Sequence, residues 1–189
     1  MGDSRERHLL LRDHIQPGVL VLFVGINPGL RSAETGHHFA GHSNRFWKLL
    51  HESKLVSEPL TYREDRRLPE WRLGLTNIID RGTAGIDVLD TVEYRQGVVS
   101  LIRKIRRYRP HIVALLGVTI FRMLFSPKEY SKGPLDLGVT AVELAGAKIF
   151  LLPNPSGRNA HYSYHQMLTA FQDLRDLVAQ PPRQPGPPA

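Results

Sequence analysis

The 189-residue sequence contains no cysteine. That single absence excludes disulfides, thiolate zinc sites, cysteine nucleophiles and iron–sulfur clusters. Long apolar runs are missing too. The longest, Val19 to Ile26, is far short of the ~20 residues that span a bilayer and suits a buried strand. The opening stretch, MGDSRERHLLLRDH, carries too many charges for a secretory signal. These readings predict a cytoplasmic protein, nucleoid-associated if bacterial, with no membrane partner.

Acidic residues are in short supply. They number 18 against 25 lysines and arginines, for a net charge of +7, and the pI is near 10.0. That sign favours a polyanionic partner, and nucleic acid is the usual one. The rest of the composition is that of an ordinary globular chain, 41% hydrophobic and 23% charged. A chain of this length can remove roughly 70% of its unfolded surface from water. One domain is expected over residues 13–179. A flexible stretch, 1–12, precedes it. A disordered tail, 180–189, follows, where PPRQPGPPA has five prolines in nine residues.

Inside those limits short apolar runs alternate with helical patterns. Strands are predicted over Val19 to Gly25, Leu75 to Ile79 and Ile112 to Leu116. Val139 to Leu144 and Lys148 to Leu152 read as a hairpin about Gly146. Ser43 can cap a helix through NRFWKLLHESK. Val98 to Tyr108 is helical and is stopped by Pro110. Gly117 opens a helix carrying Phe121, Leu124 and Phe125, and His161 to Val178 is the last helix. Strands separated by helices predict an α/β fold, a three-layer α/β/α arrangement around a short, mainly parallel sheet. In such sheets the site lies beyond the carboxyl ends of the strands.

Two loops then carry the chemistry. The first follows the first strand and opens Gly25-Ile26-Asn27-Pro28-Gly29. It matches neither phosphate-cradling glycine motif. Pro28 fixes the backbone and Gly29 permits positive φ, so Asn27 is held at a strand tip, either as a plain turn or as a placed amide. Further on stand His37, His38, Phe39, His42, Asn44 and Arg45. The histidine spacing matches zinc patterns poorly, so no metal is expected. Phe39 beside small residues can stack on a flat ring or belong to the core. The second loop, Asn154 to His161, is small, polar and carries one long cation, Arg158. It reads as a nucleic-acid-facing loop or as a solvated turn. Arg103, Lys104, Arg106, Arg107 and Arg109 stud one helix, as a solvated face or as part of a phosphate-attracting field.

The succession GINPGL, GHHFAGHSNRFWK, GLTNIIDRGT and LLPNPSGRNAH resembles the mismatch-specific uracil/thymine DNA glycosylases of the uracil-DNA glycosylase superfamily. The likeness runs from about Asp13 to about Leu177. The GHH stretch leans toward the thymine-DNA glycosylase branch, and NPSG looks like the bacterial mismatch-specific branch. The resemblance implies a monofunctional, cofactor-free and metal-free enzyme, a monomer acting on double-stranded DNA. It would flip out uracil, and thymine or related damaged pyrimidines, mispaired with guanine and hydrolyse the N-glycosidic bond, leaving an abasic site. Asn27 would position the attacking water, and Asn154 would form the pocket's second wall. Phe39 would stack on the base, backbone groups near Ile26 and Phe39 would bind its edge, and Ser32 would sit near its 5-position. Gly25 and Asn44 complete that pocket. Ser156, Gly157 and Asn159 would face DNA, and Arg158 would fill the gap in the stack, at a position commonly apolar in the bacterial branch. A silent DNA-binding module, or a small-molecule nucleotide hydrolase on the same fold, is the alternative.

Overall fold

The computed structural model describes residues 10–85, 89–125 and 136–180. The tail 181–189, and residues 1–9 of the stretch expected to be flexible, lie outside the described residues. Leu11, at the near end of that stretch, is buried, and its amide donates to Asp80 O at 3.0 Å.

Five strands form one sheet: β1 (Val21–Gly25), β2 (Leu73–Asn77), β3 (Ile112–Leu116), β4 (Gly138–Leu144) and β5 (Ala147–Leu152). Their order is β2-β1-β3-β5-β4. All neighbours are parallel except the edge pair β4–β5. That pair is the expected hairpin. Its turn uses Ala145 at φ 51° and Gly146 at φ 85°, the two positive angles that a tight hairpin turn with right-handed twist requires.

The helices are α1 (Leu30–Thr35), α2 (Phe46–Glu52), α3 (Thr91–Tyr108), α4 (Val118–Leu124) and α5 (Tyr164–Ala179), with a 3₁₀ segment over Tyr62–Trp71. Strand alternation divides them into two layers. Val21 and Phe23 of β1 join Phe46, Leu49 and Leu50 of α2 and Phe171 and Leu174 of α5 in one core. Leu22 and Val24 join Leu101 and Ile105 of α3 and Ile120 and Phe121 of α4 in the other. Each such side chain taken fully out of water stabilises the fold by about 1.5–3 kcal/mol. The three-layer arrangement with a mainly parallel sheet is therefore the observed one.

Several element ends differ from the sequence reading. β2 begins two residues early, at Leu73, because Gly74 is a strand residue and not a turn. A Cβ there would lie 3.2 Å from both His14 O and the Val19 side chain. The last two residues expected in that strand, Ile78 and Ile79, leave it but stay tied to the first loop, donating to Gly25 O and Ile26 O. α3 begins at Thr91, seven residues before Val98. Asp90 caps it by accepting from Val92 N at 3.0 Å, and Glu93 reaches back to the Asp90 amide at 3.2 Å. Ser43 does not cap α2: Asn44 Oδ1 accepts from Phe46 N at 2.9 Å instead. Ser163 caps α5, so that helix starts at Tyr164 and not at His161.

Candidate active site at the carboxyl edge of the sheet

The carboxyl ends of β1, β2, β3 and β5 open onto one cleft of about 470 Å³, lined by Gly25, Asn77, Leu116 and the loops beyond them. Gly25, Ile26, Asn27, Ser32, Phe39, Asn44, Asn154, Ser156, Gly157 and Arg158 all line it. Of the site residues that the resemblance implies, Asn159 alone stands back from the wall. It braces the last loop, its Nδ2 donating to Asn154 O at 2.8 Å.

The two loops are packed on each other. Arg45 N donates to Pro155 O at 2.9 Å. Gly157 lies so close to Ser43 that any Cβ would collide with the serine side chain and carbonyl. Gly25 is similarly obligatory, since a Cβ would meet the Asn77 side-chain amide.

Asn27 is partly buried at the tip of β1. Its Nδ2 donates to Thr83 Oγ1 at 2.6 Å and to Pro28 O at 3.1 Å. A carbonyl can only accept, so these partners fix which end of the amide carries hydrogen. Thr83 passes its own proton to Gly85 O at 2.6 Å, which leaves its oxygen to accept. Oδ1 of Asn27 has no protein partner among the described residues and remains an open acceptor.

Phe39 lines the same cleft, on a loop held by side chains from other elements rather than by regular structure. One ring face stacks on Phe46, centroids 4.1 Å apart at 29°. Its φ is +54°, a region that a bulky residue rarely adopts. Ser32, on α1, is buried, and its Oγ accepts from Ala40 N at 3.0 Å. Asn154 Oδ1 accepts from Ser156 N at 2.9 Å, so its NH₂ is the end left to offer. Arg158 is exposed and crosses the cleft mouth, its Nη1 3.5 Å from Ala84 O.

Two of the three histidines of the first loop, His37 and His38, are bound up in structure. His37 Nδ1 is 3.0 Å from Asp65 Oδ1, and His38 Nε2 donates to Arg12 O at 2.8 Å. Burial lowers the His38 imidazole to about 4, so it is neutral at pH 7. Asp65 is fully buried. Burial pushes its carboxyl up, but the close His14 ring, the His38 amide and His37 outweigh that and hold it at about 2. His42 is exposed.

A model of the Uracil DNA glycosylase superfamily matches residues 12–175. The chain belongs to the uracil DNA glycosylase superfamily. The fold of a candidate uracil DNA glycosylase from Methanosarcina acetivorans, solved in solution by NMR, is also similar. The TM-score is 0.53 at 14% identity, over 89% of this chain and 98% of that one. As a superfamily member the chain is a hydrolase of the DNA glycosylase type, acting on DNA. No helix among the described residues is long and apolar enough to cross a membrane.

Around this cleft, reasoning from sequence missed Thr83 and Asp65. Thr83 stood inside the quoted GLTNIIDRGT stretch, but nothing local marks a threonine as the partner of an asparagine 56 residues away. Asp65 lay in a charged run, YREDRR, that reads as solvated surface. Of the basic residues read along that helix, the four arginines fall on the solvated-face alternative. Arg103, Arg106, Arg107 and Arg109 are exposed at the helix end that leads into the start of β3, the opposite edge from the cleft. Five strand residues separate the edges by about 16 Å, beyond the ~8 Å screening length at physiological salt. Lys104 turns away from them, to Asp13 at 2.7 Å and Thr76 at 3.0 Å.

Proposed function

We propose that this protein excises uracil, and thymine or related damaged pyrimidines, mispaired with guanine in duplex DNA. The observation that carries the reading is the pinned Asn27 amide. Asn27, its Oδ1 unpartnered among the described residues, lines the same cleft as Phe39, as hydrolysis of a base extruded into that cleft requires. A mismatched base costs less to extrude than a paired one, which makes mispairing part of the selectivity.

In this reading Phe39 stacks on the flipped base. The Ile26 carbonyl accepts from Ile79 N, which leaves the Ile26 amide and the backbone groups of Phe39 to read the base edge. Ser32 lies beside the 5-position. The N-glycosidic bond breaks with its electron pair going to the base. Backbone donors stabilise that developing anion. A water held on Asn27 Oδ1 attacks C1′ of the sugar, and its proton passes to the departing base or to solvent, giving a free base and an abasic site.

Asn27 cannot itself take that proton near pH 7. The general-base factor of about 10²–10⁴ is therefore forgone, and catalysis depends on orienting water and on fixed dipoles. Asn154 closes the far wall. Ser156, Gly157 and Asn159 shape the loop toward DNA, and Arg158 leaves Ala84 O to occupy the space the base vacates. No step calls for a metal or cofactor, and one protomer contains the whole cleft.

Excision from labelled duplexes with G·U, G·T and A·U pairs, and from single-stranded uracil DNA, tests the reading. Release is expected to be fastest at G·U. Equal rates at A·U and in single strands would remove the mismatch specificity. Release of base from free nucleosides alone would favour a small-molecule hydrolase.

A further inference from the structure

We propose that Asp65 is a positioning residue for Phe39. Together with Trp47 it clamps the His38 peptide so that Phe39 is kept in its left-handed conformation. This rests on the reading of the cleft as a base pocket and adds the device that shapes it.

Four side chains from outside the loop take up the polar groups of the residues flanking Phe39. Asp65 Oδ2 accepts from His38 N at 2.9 Å. Trp47 Nε1 donates to His38 O at 3.2 Å. Ser32 Oγ accepts from Ala40 N at 3.0 Å, and Arg31 Nε donates to Ala40 O at 2.7 Å. The N–H and C=O of Phe39 itself have no partner among the described residues. The backbone groups of both neighbours of Phe39 are thus taken up, and those of Phe39 itself are not.

That pattern needs a cause, because it is costly twice. An aromatic residue at φ +54° is strained and persists only where its surroundings impose it. A carboxylate as fully buried as Asp65 is costly unless several donors meet it. Here the groups that meet it are the His38 amide and His37 Nδ1 at 3.0 Å, both hydrogen-bonded, and His14 Nε2, 3.2 Å from Oδ2 and outside hydrogen-bond alignment. A charged acceptor holds an amide about twice as strongly as a neutral one. The 3₁₀ segment over Tyr62–Trp71 carries Asp65 to the loop and buries Leu68 in the same core as Phe46 and Trp47. The clamp therefore stands on the core and not on another loop.

The test is Asp65→Asn, which keeps the shape and one acceptor but removes the charge. Two quantities are read on the wild type and the variant: the single-turnover rate of uracil release from a G·U duplex, and the affinity for a duplex carrying a stable abasic analogue, which presents no base to Phe39. The expected result is a rate at least threefold lower with abasic affinity changed less than threefold. In a Phe39→Gly background, where the left-handed conformation is unstrained, the same substitution is expected to change the rate less than threefold. A smaller loss in the wild-type background, a parallel loss of abasic affinity, or a full loss in the glycine background overturns the proposal. Should Asp65→Asn not melt cooperatively, Trp47→Phe takes its place with the same criteria. A wild-type protein that releases no uracil would instead refute the proposed function.

Discussion

Asn27 Nδ2 and Thr83 Oγ1 stand 2.6 Å apart across two loops that the sequence separates by 56 residues. The contact decides which end of the Asn27 amide is offered to the cleft. Thr83→Val keeps the volume but cannot accept, so the amide can turn over. Loss of a buried hydrogen-bond partner is worth about 1–3 kcal/mol. The expected effect is therefore a roughly ten- to hundredfold fall in kcat with little change in KM. Thr83→Ser should retain most activity. Steady-state kinetics on a G·U duplex check both, and a Val variant with wild-type kcat would remove Thr83 from the account.

Phe39 is both platform and packing residue, since its ring lies 4.1 Å from Phe46. Stacking on a base is worth about 1–3 kcal/mol by alanine substitution. Phe39→Ala should lower kcat/KM by roughly ten- to a hundredfold. Phe39→Tyr should be mild. Thermal melts run beside the kinetics separate the two roles: a destabilised but fully active Ala variant would make Phe39 a core residue only.

Arg158 Nη1 lies 3.5 Å from Ala84 O, between two residues that line the cleft. As a wedge it favours the flipped state, so its loss should harm duplex cleavage much more than single-strand cleavage, where no stack is opened. Arg158→Leu should restore part of the duplex rate. A simple phosphate contact predicts something else, a salt slope reduced by about one with the duplex to single-strand ratio unchanged. Cleavage of both substrates over a range of salt distinguishes the two.

Acid should destabilise the fold in two steps. The His38 imidazole, lowered by burial from 6.5 to about 4, is neutral in the folded chain while the unfolded chain takes up a proton. Stability is lost as pH falls from 6.5 toward 4. Asp65, held at about 2 against an ordinary 3.8, contributes stability above pH 3.8 that is lost as pH falls toward 2. Each shift corresponds to about 2–3 kcal/mol. Urea unfolding between pH 7 and pH 3 should show the decline. His38→Gln, which can still donate to Arg12 O, should flatten the upper limb, and an unchanged slope would deny His38 that role.

The sheet was legible because its chemistry is local. VLVLFVG and IVALL are continuous buried runs, and β3 falls on Ile112–Leu116 as expected. The cleft was legible because two polar loops follow strands that run the same way. What escaped was held by distant partners. Gly74 looks like punctuation until His14 O is seen beside it. The short helix α1 carries no charged or side-chain cap to announce it. Asp65 reads as surface because its donors lie 27, 28 and 51 residues away in sequence. The Asn27 amide could be picked out from the Asn-Pro-Gly turn, but its orientation depends on Thr83.

The central claim is that Asn27 holds the attacking water, and single-turnover excision by Asn27→Ala tests it most directly. Wild type and variant are mixed in excess with a labelled G·U duplex, and abasic sites are revealed by alkaline strand cleavage, with binding to an abasic duplex measured alongside. The account predicts at least a hundredfold slower excision at unchanged affinity, on the order of the 3 kcal/mol expected for loss of a well-placed transition-state contact. A variant that excises uracil at close to the wild-type rate would contradict it.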